Sequence, residues 1–278
     1  MSRIQFSSVL SAKVFPYLKV CTLMLFLLIH LPVNGQILKK PIPDKTVVLT
    51  FDDGVASHYS NVAPLLKERG FGATFFVCEF PPNFSDSTKY MNWRQMQQLD
   101  RMGFEVANHT HNHAAVGKLS EEEVIKEINY IEAKCDSLGI KRMISFAYPG
   151  YSMSEIVLEA LDKKDYLLAR AGGKRTYKPL EDHPYLIPSW ATDSKNEAET
   201  MEALAQAKDG QIVVLTIHGV PDLEHPWVNT PPEMFLRYLD FLSKNEYQVL
   251  SFEQLAEYID FRKARKLLKV NFDKPLRN

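Results

Sequence analysis

Val47-Val48-Leu49-Thr50-Phe51-Asp52-Asp53-Gly54 is an apolar run, rich in β-branched residues at its start, that stops at two carboxylates and a glycine. Such a run reads as a buried strand of a parallel sheet, because a strand covered on both faces loses the alternation of apolar and polar residues. Further strand-like runs follow at Ala73–Val77, Phe104–Ala107, Met143–Ala147, Tyr166–Ala169, Tyr185–Trp190, Ile212–Ile217 and Gln248–Ser251. Helix-like patterns lie between most of them, at Val62–Arg69, Trp93–Met102, Ser120–Leu138, Ser154–Lys163, Ala198–Ala207 and Glu233–Leu242. Ser120 with Glu123 reads as a capping box, and Gly139 as the stop of the same helix. Repeated strand–helix alternation predicts an α/β fold, a closed or nearly closed (β/α) barrel in one domain. A doubly wound open sheet is the alternative.

In either architecture chemistry gathers at the C-terminal ends of the strands. Asp52 and Asp53 follow the first run, His109-Thr110-His111-Asn112-His113 follows Phe104–Ala107, and His218 follows Ile212–Ile217. One carboxylate and two imidazoles suit Zn²⁺ with a coordination position left open, which makes Asp53, His109 and His113 candidate metal ligands. Neighbours on an ideal strand point to opposite faces. Both aspartates can serve one centre only if the chain leaves strand geometry, which Gly54 permits. Asp52 then stays off the metal as general base, and His218 is the natural general acid. Taken alone, Asp-Asp-Gly is equally a turn, and a histidine leaving a strand is equally a core residue. His109 and His113, four apart, share a face if the segment is a helical turn, while His111 points elsewhere. Phe146-Ala147-Tyr148-Pro149-Gly150-Tyr151 marks another strand end, whose backbone N–H groups either help to hold an oxyanion or belong to no more than a rigid turn.

The chain of 278 residues is 45% hydrophobic and 24% charged, an ordinary globular composition. A formal net charge of −1 and the lack of a basic stripe give no sign of a nucleic-acid partner. Arg3, Lys13 and Lys19 precede an apolar run from Val20 to Leu31 and a small residue at Gly35. Residues 1–35 therefore read as a secretory signal peptide, shorter in its apolar part than the roughly 20 residues of a membrane span. An uncleaved anchor is the alternative. The expected mature chain is residues 36–278, exported to a periplasmic, secreted or cell-envelope location, with no stable membrane span after cleavage. It keeps two cysteines, Cys78 and Cys135, expected as separate buried thiols. The basic segment Phe261–Leu268 is expected as a solvated surface helix. No signature of an oligomeric state is present.

Thr50-Phe51-Asp52-Asp53-Gly54, His109-Thr110 with His113, Phe146-Ala147-Tyr148-Pro149 and Thr216-Ile217-His218 together resemble the motifs of the polysaccharide deacetylases, carbohydrate esterases sharing the NodB homology domain. The resemblance covers residues 46–260 and implies a deformed (β/α) barrel, usually of about seven strands. It implies Asp52 as base, Asp53, His109 and His113 as ligands of Zn²⁺ or another divalent metal, and His218 as acid. The implied reaction is metal-assisted hydrolysis of an acetamide on an amino-sugar polysaccharide. Three departures stand out. Ala147 occupies the place of an arginine that many members set beside the base. Arg170, near the end of an adjacent strand, is the candidate replacement, an ordinary surface arginine being the alternative. The usual Tyr-Gly order is reversed at Gly150-Tyr151, and Trp190 and Asp193 do not match the family's Asp-Trp signature. Tyr151, Arg170 and Trp227 are the substrate-side candidates; Trp227 either stacks on a sugar or covers the core. Two further readings share the residues: an O-acetyl esterase on xylan-like glycans, and a glycan-binding homologue without catalysis.

Overall fold

The computed structural model describes residues 37–277. The expected leader, residues 1–35, lies outside the described residues. Eight strands form one sheet: β1 Thr46–Phe51, β2 Thr74–Val77, β3 Glu105–Asn108, β4 Ser145–Ala147, β5 Leu168–Arg170, β6 Trp190–Ala191, β7 Val213–Ile217 and β8 Gln248–Leu250. All pairings between them are parallel, in the order β5-β4-β3-β2-β1-β7-β6. β8 lies off this path and pairs with the first half of β1, at Thr46 to Val48, while β2 takes the second half at Thr50 and Phe51. The two ends of the path meet where Ile187, just ahead of β6, bridges Arg170 of β5. Ile187 N–H donates to Ala169 and Ala171 N–H donates to Ile187, so the sheet curls into the deformed barrel that the sequence predicts.

Helices cover the outside: α1 Ala63–Glu68, α2 Trp93–Arg101, α3 Glu121–Ser137, α4 Glu155–Lys163, α5 Glu197–Leu204 and α6 Pro232–Lys244. The expected capping box forms at α3, where Ser120 N–H donates to the Glu123 carboxylate at 2.8 Å and Glu123 N–H donates back to Ser120 Oγ. The two-residue period of the strands sorts side chains between two cores. Val47, Leu49, Phe51, Phe75, Val77, Val213, Leu215 and Ile217 pack outward in the larger, helix-covered cluster. Val48, Phe76, Ala107, Ala147, Leu168 and Val214 fill the barrel interior. Cys78 and Cys135 are free and buried, as expected.

Two expectations need correction. Tyr185–Trp190 is not a continuous strand: Pro184–Leu186 makes a 3-10 turn, and the strand shrinks to Trp190–Ala191. Pro184 favours the turn and Pro188 has no N–H for a ladder. Phe261–Leu267 is helical (α8), but it is docked rather than solvated. Its Phe261 and Ala264, with Phe252 and Leu255 of α7 (Phe252–Leu255), plug the interior from the N-terminal ends of the strands. Arg262 and Arg265 tie the same helix to Asp165 and Asp162.

A buried carboxylate sits at that plug. Glu105 Oε1 accepts from Ser145 Oγ at 2.5 Å, and Oε2 accepts from Thr74 Oγ1 at 2.7 Å and from Glu253 N–H of α7 at 2.8 Å. Burial outweighs these bonds and pushes its carboxyl up to about 7. A folded pKa above the unfolded one means the native state holds more protons between the two values, so this contribution to stability is complete below about pH 4.5 and is lost as pH rises through about 7. Glu105→Gln, which mimics the protonated carboxyl, is predicted to remove this component of the pH dependence. Unfolding free energies measured with denaturant at pH 5 and pH 8 should converge relative to wild type, by on the order of 3 kcal/mol; an unchanged difference contradicts the assignment.

Candidate functional site

The site lies at the opposite end of the barrel, where the strands stop. Asp52 is still held in the ladder, its N–H donating to Ile217 at 3.0 Å. The next two residues, Asp53 and Gly54, take φ of +71° and +64°. This left-handed step ends the pleat, so that both neighbouring carboxylates reach one centre. Aspartate tolerates such a backbone better than most residues, and glycine tolerates it freely. A Cβ on Gly54 would also crowd Met96 Cε at 3.2 Å.

His109 leaves β3 with its N–H on Val77 O, 3.1 Å away. Its Nδ1–H donates to the carbonyl of Ala147 at 2.9 Å, which leaves Nε2 as the nitrogen with a lone pair. His109 and His113 do not share a helical turn. They converge through a bent loop with positive φ at Thr110 (+67°) and at His113 (+51°). Thr110 is β-branched, and a left-handed backbone at such residues costs on the order of 1–3 kcal/mol each. Side chains hold the bend: Thr110 N–H donates to Asn108 Oδ1, and Ala114 N–H donates to Thr110 Oγ1.

Asp53 Oδ1 stands 3.4 Å from His109 Nε2 and 3.4 Å from His113 Nε2. It is buried, with no hydrogen-bond partner. Donor atoms about 2.0–2.1 Å from a tetrahedral Zn²⁺ lie about 3.4 Å apart, so this trio fits a divalent cation. All three donor atoms lie within 4.8 Å of one another. Burial alone would raise the Asp53 carboxyl; the close approach of the His109 ring and the charges of His218, His113 and His109 reverse this and hold it well below the ordinary range. Burial pushes the His113 imidazole down to about 4 against the pull of Asp53, so it is neutral at neutral pH. Burial also disfavours the His109 imidazolium, but Asp52 and Asp53 outweigh it and raise that imidazole.

Asp52 is turned differently. Its Oδ2 receives Arg170 Nη2 at 2.5 Å, while its Oδ1 is buried without a partner. Arg170 is fully buried and also donates to Thr216 Oγ1, so it is no surface arginine. It reaches the base candidate from β5, next to β4, where Ala147 stands in place of the family's arginine. A cleft of about 330 Å³ opens over the cluster and brings His218, Tyr151 and Trp227 to it. His218 Nε2 lies 4.0 Å from Asp53 Oδ2, and its Nδ1 is buried without a partner. Trp227 is 71% exposed and does not cover the core. Gly150 and Tyr151 both have positive φ, which shapes the reversed third motif into a tight turn. The N–H groups of Tyr148, Tyr151 and Ser152 bond to backbone carbonyls, leaving that of Gly150 as the turn's candidate donor.

Some supporting residues were not assigned from sequence. His58 Nε2–H donates to the carbonyl of His218 at 2.9 Å and so fixes the end of β7. Burial pushes its imidazole down to about 4. Phe80 packs between His113 and His225, with tilted rings whose centroids lie 4.7 and 4.9 Å away. Neither contact has a spacing signal, because each joins segments far apart in the chain.

A curled parallel barrel with an Asp-His-His cluster at its strand ends defines an α/β protein whose donor atoms are close enough together to hold a metal ion. Residues 39–169 match the family model described as polysaccharide deacetylase, so that this stretch of the chain is similar to that family. It is 26% identical over 182 residues to a peptidoglycan-N-acetylglucosamine deacetylase of Bacillus cereus, covering 63% of this chain and 74% of the relative. It is 23% identical over 175 residues to a bifunctional xylanase/deacetylase of Pseudobutyrivibrio xylanivorans, covering 62% of this chain and 25% of that protein. The chain spans 44% of the length of a Bacillus subtilis relative and 31% of one from Arthroderma benhamiae. In fold it resembles the Xyl-CE4 domain of a multidomain xylanase from the hindgut metagenome of Trinervitermes trinervoides. The TM-score is 0.56 at 23% identity, over 77% of this chain and 91% of that one.

Removing Arg170 would strand a buried carboxylate. Arg170→Ala is predicted to cost about 3–5 kcal/mol in urea unfolding, with part of the loss recovered when Asp52→Asn is added. A cost below about 1 kcal/mol would show that the pair does not hold the site together.

Proposed function

We propose that this chain is an exported, zinc-type metal-dependent hydrolase that removes N-acetyl groups from an amino-sugar polysaccharide of the peptidoglycan or poly-N-acetylglucosamine type. Residues 36–278 form its catalytic domain, and residues 1–35 its leader. No helix among the described residues is long and apolar enough to cross a membrane. The observation that carries the proposal is the pairing of two unlike carboxylates: Asp53 Oδ1, 3.4 Å from each of two imidazole nitrogens, beside Asp52 Oδ1, which is buried and free to accept.

Asp53, His109 and His113 would hold the cation, which when bound polarises an acetyl carbonyl and acidifies a water. Asp52 takes the proton of the attacking water on Oδ1, while Arg170 fixes Oδ2 and so aims the free oxygen. Gly150 lines the cleft, and its N–H would be the donor for developing charge on the carbonyl oxygen. As the carbon–nitrogen bond breaks, its electron pair goes to nitrogen, which His218 protonates. The exposed face of Trp227 suits stacking on a sugar ring, and Tyr151 lines the same cleft.

One feature favours a second substrate, an O-acetyl ester of a xylan-like glycan. His218 Nδ1 has no carboxylate behind it to stabilise an imidazolium. An alkoxide departs with less help from an acid than an amine does, so an unbacked imidazole suits an ester. Acetate release from N-acetylglucosamine oligomers, peptidoglycan fragments and acetylated xylan separates the two, and release from none of them leaves the non-catalytic binder. Wild type is expected to release acetate and to lose the activity on chelation. Asp52→Asn should keep zinc and lose about 10²–10⁴-fold in kcat, whereas His113→Ala should lose both zinc and turnover. Activity that survives complete chelation, or full activity in Asp52→Asn, overturns the proposal.

A further inference from the structure

Between the two ligand histidines lies a side chain that the proposed reaction does not use. His111 turns away from the cluster and is held at both ring nitrogens: Nε2–H donates to Glu79 Oε2 at 3.3 Å, and Nδ1 accepts from Asn112 Nδ2 at 3.1 Å. Its ring stacks on Tyr130 of α3, with centroids 3.5 Å apart. Glu79 is the hub of this arrangement. It accepts Trp93 Nε1–H at 2.8 Å and the Tyr130 hydroxyl at 3.1 Å, and its own N–H donates to the carbonyl of His111 at 2.8 Å. Asn112 is pinned separately, its N–H and Nδ2 donating to the two oxygens of Glu127 at 2.9 and 3.1 Å.

These contacts fall on the loop whose backbone is unfavourable. Thr110 and His113 both have positive φ, and between them only His111 and Asn112 remain to be tied down. Strained conformations persist only where the surroundings over-determine them. His109 is fixed from β3 and by Ala147, but His113 has no comparable anchor on its own ring: its Nε2 faces Asp53 and its ring packs on Phe80. Its position therefore depends on the loop that delivers it.

We propose that Glu79 is a positioning residue for the metal centre, acting through His111 to hold the loop in the bent form that brings His113 to Asp53. The inference rests on the proposed metal site and adds a residue to it. Glu79 contacts no ligand atom. It links β2, α2 and α3 to the loop, so that the donor trio is formed before a cation arrives. Without that link the loop relaxes toward ordinary backbone angles, and part of the binding free energy is spent in bending it back.

Zinc affinity of the full chain, by competition with a chromophoric chelator, tests this without recourse to turnover. Glu79→Ala is expected to weaken zinc binding about 10–100-fold, the size typical of lost support behind a ligand. Glu79→Gln, which keeps one acceptor oxygen and so serves either His111 or Trp93 but not both, should recover part of the loss. His111→Phe keeps the stack on Tyr130, loses the bond to Glu79, and should fall in the same direction; it decides the matter if Glu79→Ala does not fold. Cobalt-loaded Glu79→Ala should also show an altered d–d spectrum. Zinc affinity in folded Glu79→Ala within about twofold of wild type, or Glu79→Gln as weak as Glu79→Ala, overturns the inference and leaves the metal site standing. A wild-type protein that binds no zinc overturns both.

Discussion

Two carboxylates that are neighbours in sequence must serve one centre in different ways, and the strand they end cannot present both. The left-handed step at Asp53 and Gly54 resolves this, and much of the site's logic follows from it. Asp52 remains in register with β7 and faces the barrel axis, where Arg170 can reach it. Asp53, carried past the strand end, swings to the two imidazoles. A single residue of ordinary strand geometry in between would leave one carboxylate among the helices instead.

The barrel interior is graded from end to end to support this. At the bottom, α7 and α8 close the opening and Glu105 ties strands to plug. The middle is apolar: Ala107 and Ala147 are small where Phe76 is large, and all three are fully buried in one cluster. Above it, Thr50, Arg170 and Thr216 form a buried polar floor, and the donor cluster sits on that floor. The backbone carbonyl of Ala147 accepts from His109 Nδ1–H and so sets the ring's tautomer. The family's usual arginine is replaced there, yet a guanidinium arrives at the same carboxylate from the neighbouring strand. Position in space, rather than position in a motif, is what the buried carboxylate requires.

The strands, the capping box of α3 and the residues at the strand ends were legible because each has a local signature: an apolar run, a Ser-x-x-Glu pair, or polar residues where a run stops. Arg170 was legible only through a gap, since Ala147 left an aspartate in want of a partner. Other features were not readable. The spacing of His109 and His113 suggested a helical turn, but two left-handed residues produce the convergence instead. The basic composition of Phe261–Leu267 hid the burial of Phe261 and Ala264, whose spacing marks a docked face. Pro184 and Pro188 broke a strand that hydrophobicity alone would have continued. For the two histidines backbone strain decided the outcome, and strain leaves no period in the sequence.

The central claim is that Asp53, His109 and His113, and not Asp52, form a metal site. Anomalous diffraction from crystals of the wild-type protein soaked in zinc addresses it most directly. The account predicts one strong zinc peak within about 2.2 Å of an Asp53 oxygen and of both imidazole Nε2 atoms, with Asp52 still on Arg170 and outside bonding distance of the ion. A peak bonded to Asp52 or to His111, or no peak in this cluster while zinc binds elsewhere, would contradict it.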